Sequence, residues 1–255
     1  MFDFGLKAFQ YFFLVFLRVF GFVSSAPLLG ANQVPYQIKV LFSLLFSFAL
    51  FSSLPIPSIP YESPQGLVFL GITEAMFGLS LGFFARMVFS GVQLAGQVSG
   101  YQMGLAIANL FDPVSFSRQS VVSSLLFWLS MMIFFLLRLH YWLLAAFIDG
   151  FKTFPLAVKF VPNANIVFGI NSVFAALFTV AVKVAAPIIA TLLFVIISLG
   201  IVTRLIPQMN IFIVGLPVQI LVGTLVLISI MPILSYLSQD VLINHTNLLF
   251  KLLQL

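Results

Sequence analysis

Long apolar runs, almost uninterrupted by charge, constrain this chain more than any other feature of its sequence. Six runs and a tail account for most of it: Leu6–Val23, Tyr36–Leu54, Gly66–Ser99, Val121–Ile148, Ile166–Ile206 and Ile213–Leu237, then a short amphipathic tail. Clusters rich in Gly, Pro or Asn separate the runs, and none of the runs shows the alternation typical of a strand. The sequence therefore predicts an all-α fold of long, kinked hydrophobic helices and helical hairpins.

Charged side chains are too scarce to cover a water-soluble surface. Only 7% of the 255 residues are charged and 62% are hydrophobic, whereas roughly 25% of an average soluble domain is charged. A lipid bilayer or a large apolar assembly must therefore surround the chain. The net charge of +5 comes from scattered single cations, so we expect no nucleic-acid partner.

The amino-terminal run resembles a secretory signal peptide at first sight. Lys7 precedes an apolar stretch, and small residues follow it at Ser24 and Ser25. However, Arg18 lies inside the apolar stretch, and Pro27 comes directly after the small residues. Both features argue against cleavage, so we expect a retained helix.

Helix length and charge placement do not fit an ordinary multispan protein. Ile166–Ile206 would extend about 60 Å as one helix, twice the hydrocarbon thickness of about 30 Å, unless it breaks at Pro187. Several cations lie within or at the edges of apolar runs instead of crowding alternate loops: Arg18, Lys39, Arg86, Arg138, Lys183 and Arg204. We infer one subunit of a tightly packed helical complex.

Catalytic chemistry has little support. Gly78-Leu79-Ser80-Leu81-Gly82 matches the nucleophile-elbow pattern, but that pattern needs a strand before the serine and here lies within a helix. The two histidines, His140 and His245, form no metal-binding motif, and no acidic pair has acid–base spacing. We expect no enzyme activity, no metal and no cofactor.

The third run carries a ridge of small and polar residues, which we call the α3 ridge. Nine of its members recur at spacings of three and four, so they share one face of a helix: Glu74, Gly78, Gly82, Arg86, Ser90, Gln93, Gln97, Gly100 and Gly104. Gly96 joins the ridge through the overlapping motif Gly96-x-x-x-Gly100-x-x-x-Gly104. Small residues allow close backbone approach, and glutamine amides can bond across the contact. The face can meet a partner subunit or another helix of this chain. The partner of Glu74 can be Arg86, Lys183 or a residue of another chain.

Two interruptions of the apolar pattern attract attention. The stretch from Ala108 to Arg118 is predicted to be non-helical and to present Leu110, Phe111 and Phe116, and apolar rings can close a pore by dewetting. The alternative is a surface turn in which Asp112 caps the next helix. The second interruption, from Arg204 to Asn210, has the composition of a polar hairpin tip.

Taken in order along nearly the whole chain, these motifs resemble the R-type subunit of the type III secretion export gate, the FliR/SctT family. The resemblance is strongest to its flagellar branch, with the injectisome branch left open. The matching features are Arg18, Gly21, Pro27-Leu28-Leu29-Gly30, Pro35, Lys39, Glu74, Gly78, Gly82, Gly96 to Gly104 with Tyr101-Gln102-Met103, Phe111-Asp112-Pro113, Leu139-His140, Phe151, Pro155, Pro187, Gly200, Arg204, Pro207-Gln208-Met209-Asn210, Phe212 and Gly215.

The resemblance implies a place in a helical hetero-oligomer of the bacterial inner membrane, within the flagellar basal body. One R-type chain would join five P-type and four Q-type subunits, other export apparatus components, lipid and unfolded exported proteins. Residues 1–165 would be similar to a P-type subunit, and residues 166–255 to a Q-type hairpin with a carboxy-terminal tail. Such complexes lie largely above the membrane plane, which would explain the long helices.

The resemblance also assigns roles to both interruptions. A plug loop would span about 106–119, with Leu110, Phe111, Pro113 and Phe116 closing the pore until an unfolded substrate passes. The turn at the channel entrance would contain five residues: Arg204, Pro207, Gln208, Met209 and Asn210.

One alternative from another class is a polytopic secondary transporter. It would use broken helices and a midplane site built from Glu74, Arg86 and Lys183. Transporters of this kind usually show an internal repeat, and the two halves of this sequence show no convincing one.

Overall fold

The fold consists of long α-helices. A computed structural model of the chain describes residues 2–31, 33–53, 64–105, 120–156, 164–208 and 210–253. Within those ranges it contains seven helices and no strand: α1 Phe2–Ser25, α2 Tyr36–Phe51, α3 Pro64–Gln102, α4 Val121–Leu136, α5 Leu139–Thr153, α6 Ala164–Leu205 and α7 Ile211–Leu253. The all-α prediction is confirmed.

The run predicted as one helix over Val121–Ile148 is instead two helices. Helices α4 and α5 meet at an angle of 72°, and Arg138 at the break has a φ of 56°. A left-handed residue cannot continue a right-handed helix. The prediction of a single helix was wrong because the break contains no Gly, Pro or Asn, the residues that usually mark one.

Helices α6 and α7 are longer than ordinary membrane spans. Helix α6 continues through Pro187 for 42 residues, which is about 63 Å. Helix α7 contains 43 residues and continues to Leu253. The predicted end of this helix at Leu237 was therefore wrong, because the polar residues that follow do not end it. The amphipathic character of the tail stays a prediction.

In the part of the chain that the structure describes, length and composition identify four helices that can cross a membrane: α1, α3, α6 and α7. The bent pair α4 and α5 qualifies as a fifth if it is taken as one broken span, whereas α2 is shorter. Helices of this length and composition are typical of an integral membrane protein.

The chain divides into two compact units. The first comprises residues 1–87, 141–171 and 246–255, and the second comprises residues 88–140 and 172–245. In the first, Phe22 of α1 stacks on Phe147 of α5 with ring centroids 4.3 Å apart. In the second, Phe89 of α3 packs edge to face on Phe134 of α4. The division predicted from the sequence is a different one: it separates, at residue 165, a part similar to a P-type subunit from a part similar to a Q-type subunit. That division stays a prediction.

Candidate functional site

The first half of the α3 ridge packs against α1 of the same chain. A Cβ at Gly21 would lie 2.5 Å from the carbonyl oxygen of Ala75 in α3. A Cβ at Gly78 would overlap the carbonyl oxygen of Arg18, and one at Gly82 would lie 2.6 Å from that of Phe22. Because real Cβ atoms are not found so close to backbone oxygens, only glycine permits this crossing of the two helices.

A buried ion pair joins α1 and α3 beside these glycines. Arg18 and Glu74 are each 3% exposed, and the Arg18 guanidinium donates to Glu74 Oε2 at 2.5 Å. A charge in such an apolar interior requires an opposite charge and full hydrogen bonding. The structure therefore places the partner of Glu74 within the chain, on α1.

Three further contacts hold the guanidinium in place. Its Nη1 donates to the carbonyl oxygen of Phe154, just after α5, at 2.8 Å. The rings of Phe77 and Phe151 each lie 4.6 Å from its Cζ. We call Arg18, Glu74, Phe77, Phe151 and the Phe154 carbonyl the Arg18 cluster. It joins α1, α3 and the end of α5, and it combines a salt bridge with two cation–π contacts.

The sequence alone left Glu74 with candidate partners that did not include Arg18. Arg18 and Glu74 each interrupt a strongly apolar run. Because two such charges are expected to pair, this shared feature could have identified Arg18 as the partner of Glu74. The other candidates, Arg86 and Lys183, are exposed. The Glu74 ion pair is made with Arg18.

The second half of the ridge packs against the start of α4. A Cβ at Gly96 would lie 2.6 Å from the Cα of Ser123, and one at Gly100 would lie 2.6 Å from Ser120 Oγ. Ser120 caps α4 by accepting a hydrogen bond from the Ser123 amide at 3.1 Å. The Ser120 hydroxyl also donates to the Gly96 carbonyl at 3.2 Å, so one side chain both begins α4 and ties it to α3.

The glutamines of the ridge are half-buried. Gln97 Nε2 donates to the Tyr101 hydroxyl one turn further along α3, at 3.1 Å. The backbone carbonyl of Gln93 accepts a hydrogen bond from Ser123 Oγ at 2.9 Å. The Gln97 contact lies within α3, while the Gln93 backbone links α3 to α4.

Gly104, the last member of the ridge, lies just beyond the end of α3. Its φ of 76° is left-handed, and the amides of Gly104 and Leu105 donate to the carbonyls of Tyr101 and Gly100 at 3.0 and 3.1 Å. This is the Schellman arrangement that ends many helices at a glycine. A Cβ at Gly104 would also meet the side chain of Leu216 in α7.

The predicted plug residues Leu110, Phe111, Pro113 and Phe116 lie outside the described residues, which stop at residue 105 and resume at residue 120. In the predicted entrance turn, Arg204 lies in the last turn of α6, which ends at Leu205, and Pro207, Gln208 and Asn210 are exposed. The Asn210 carbonyl accepts the amides of Ile213 and Val214, the latter at 3.4 Å, at the start of α7. Met209 is also outside the described residues.

The described residues assemble no recognisable catalytic centre. Ser80 lies in mid-α3, where its hydroxyl donates to the Phe77 carbonyl at 2.8 Å. His140 packs beside the rings of Phe134 and Phe135. Within the described ranges no group of three or more His, Cys, Asp or Glu side chains could hold a metal ion.

These features define a class: an all-α integral membrane protein whose helices cross at glycines beside a buried ion pair. The family model described as bacterial export proteins, family 1, matches residues 9–244. The chain belongs to this family of bacterial export proteins, so the FliR/SctT family predicted from the motifs is confirmed. The family is not an enzyme class.

Curated relatives agree with the family. The flagellar biosynthetic protein FliR of Escherichia coli is 30% identical over 238 residues, covering 93% of this chain and 90% of that protein. The protein of the same name in Bacillus subtilis is 31% identical over 239 residues, covering 92% of each. That of Aquifex aeolicus is 27% identical over 241 residues, covering 94% of this chain and 91% of that protein.

Proposed function

We propose that this chain is the R-type core subunit of a flagellar export gate in the bacterial inner membrane. It joins P-type and Q-type subunits, in the family pattern of five and four, and lines the entrance to the export channel. The family match over residues 9–244 and the flagellar names of the relatives support this proposal.

The single observation that carries the assembly is the apolar length of α6. Its candidate span, Phe174–Leu205, contains 32 residues. Within the most apolar 18-residue stretch of that span, only 22% of the residues are buried. That length is about 48 Å, whereas the hydrocarbon of a bilayer is about 30 Å thick. An upright helix of this length leaves about 18 Å of apolar surface outside the hydrocarbon, which supports cover by neighbouring subunits.

A measurement of particle mass tests the assembly. The chain is co-expressed with its operon neighbours, extracted in a mild detergent and weighed by native mass spectrometry. We expect a particle containing one copy of this chain with five P-type and four Q-type subunits, as the family pattern implies. A monomer or simple dimer that binds a small solute would contradict the proposal and favour a transporter.

We further propose that Leu110, Phe111, Pro113 and Phe116 close the pore. Apolar rings expel water from a narrow constriction and so block ions without any chemistry. Phe111→Ala together with Phe116→Ala should raise ion leakage through the assembled complex in planar bilayers. Phe48→Ala, which removes a ring 71% exposed on α2, is the control and should leave leakage unchanged. Equal leakage in both variants would remove these rings from the gate.

A further inference from the structure

The charges on α6 bracket a segment of the length that a bilayer requires. Residues 184–203 contain no charged side chain, and Lys183 and Arg204, both exposed, lie directly on either side. Twenty helical residues extend about 30 Å, which matches the hydrocarbon thickness. Lys and Arg at the ends of a span reach the polar interface with their flexible side chains.

Exposed side chains within this segment are suited to lipid. The large ones are all apolar: Leu193, Phe194, Ile196, Ile197 and Ile201. The hydroxyls of Thr191, Ser198 and Thr203 donate to carbonyls of their own helix, those of Pro187, Phe194 and Gly200, at 2.8 to 2.9 Å. The segment therefore needs no outside hydrogen-bond partner for these hydroxyls, which is the condition that hydrocarbon imposes.

Pro187 independently indicates that the membrane segment of α6 begins near Lys183. Proline has no amide hydrogen, so the carbonyl four residues earlier, that of Lys183, loses its usual helical donor. An unpaired carbonyl is unfavourable in hydrocarbon but is readily hydrated at a membrane interface. The charged side chain of Lys183 and its backbone carbonyl, which lacks a helical donor, thus lie at the same height along α6, as expected at a membrane interface.

We propose that lipid acyl chains cover the exposed face of α6 over residues 184–203, with the bilayer interfaces at Lys183 and Arg204. The part of α6 before Lys183 then projects beyond the hydrocarbon. Its exposed Phe174, Phe178 and Val182 are covered by protein in the assembled complex. The turn at Pro207 and Gln208 lies in water beyond the opposite interface.

Spin-label depth measurements test this placement. The chain contains no cysteine, so single cysteines can be introduced directly at Phe178, Phe194 and Gln208 and labelled with a nitroxide. The co-expressed complex and the chain alone are each placed in vesicles of phosphatidylethanolamine and phosphatidylglycerol. Power saturation then compares collisions of each label with oxygen, which concentrates in hydrocarbon, and with a water-soluble nickel chelate.

We expect the label at Phe194→Cys to collide with oxygen and not with nickel, at a depth of about 15 Å, half the hydrocarbon thickness. The label at Gln208→Cys is the aqueous control and should collide with nickel. The label at Phe178→Cys should meet nickel in the chain alone and neither reagent in the complex.

Protection of the Phe194 label from both reagents in the complex would show that a partner subunit covers this segment, and would overturn the proposal. So would nickel access at Phe194, or a depth maximum at Phe178. If no complex forms, the proposed function fails, but the depth profile of the chain alone still decides where the bilayer lies.

Discussion

The guanidinium group of Arg18 makes more contacts than a simple ion pair would. Its guanidinium binds a carboxylate and a backbone carbonyl, while aromatic rings lie over its plane. A planar fork with several donors suits this arrangement, whereas an ammonium on a flexible stem does not. Geometry, and not charge alone, should therefore determine which residues are tolerated at position 18.

Arg18→Gln should lower the free energy of unfolding by about 3–5 kcal/mol, because it leaves the Glu74 carboxylate buried without a counter-charge. Adding Glu74→Gln should recover part of that loss, since no lone charge then remains. Arg18→Lys should fall between the native chain and Arg18→Gln. Unfolding of the purified protein by a denaturing detergent measures each variant.

Lys152→Gln provides the control for this series. Lys152 pairs with Asp149 at 2.8 Å, but both side chains are largely exposed, and an exposed pair contributes about 1 kcal/mol or less. If the double variant is no more stable than Arg18→Gln alone, the two charges are not coupled and the role given to the Arg18 cluster is incorrect.

At the level of helices, the crossing of α1 and α3 depends on glycine for space. Gly78 faces the Arg18 carbonyl directly, while Gly200 in α6 has no neighbouring atom within 4 Å of a would-be Cβ. Both lie in helix interiors, so the cost of helical glycine is similar at the two positions. Their packing environments differ.

Gly78→Ala should therefore lower the free energy of unfolding, by about 1–3 kcal/mol, because the new methyl group separates two backbones. Gly200→Ala should raise it by about 0.5–1 kcal/mol, because alanine restricts the unfolded chain and nothing obstructs it in the fold. Detergent unfolding measures both. A loss of stability of the same size at both positions would show that the crossing does not require glycine.

Considered as a whole, the fold was predictable where apolar runs end at Gly, Pro or Asn. Helices α1 and α3 begin and end within a few residues of their predicted bounds for that reason. The break before α5 was not predictable, because Leu137 and Arg138 carry no turn signal in the sequence, yet Arg138 adopts a left-handed φ.

The sequence predicted that α3 has a face of small residues for close helix packing, but it did not predict which helix packs there. Spacing alone placed Gly78 and Gly82 on one face and required a close backbone neighbour. It did not say which helix would supply that neighbour, because helical periodicity describes each helix separately. The Arg18 carbonyl opposite Gly78 and the Glu74 carboxylate opposite Arg18 belong to the same crossing, and only the fold brings them together.

The Arg18 cluster also limits how this part of the sequence can diverge. Loss of either charge alone leaves the other buried without this counter-charge, and reversal of both would turn a carboxylate toward the Phe154 carbonyl. We therefore expect a change that removes one of the two charges to be accompanied by a change at the other position. The fold thereby couples the mutational histories of two residues that are 56 positions apart in the chain.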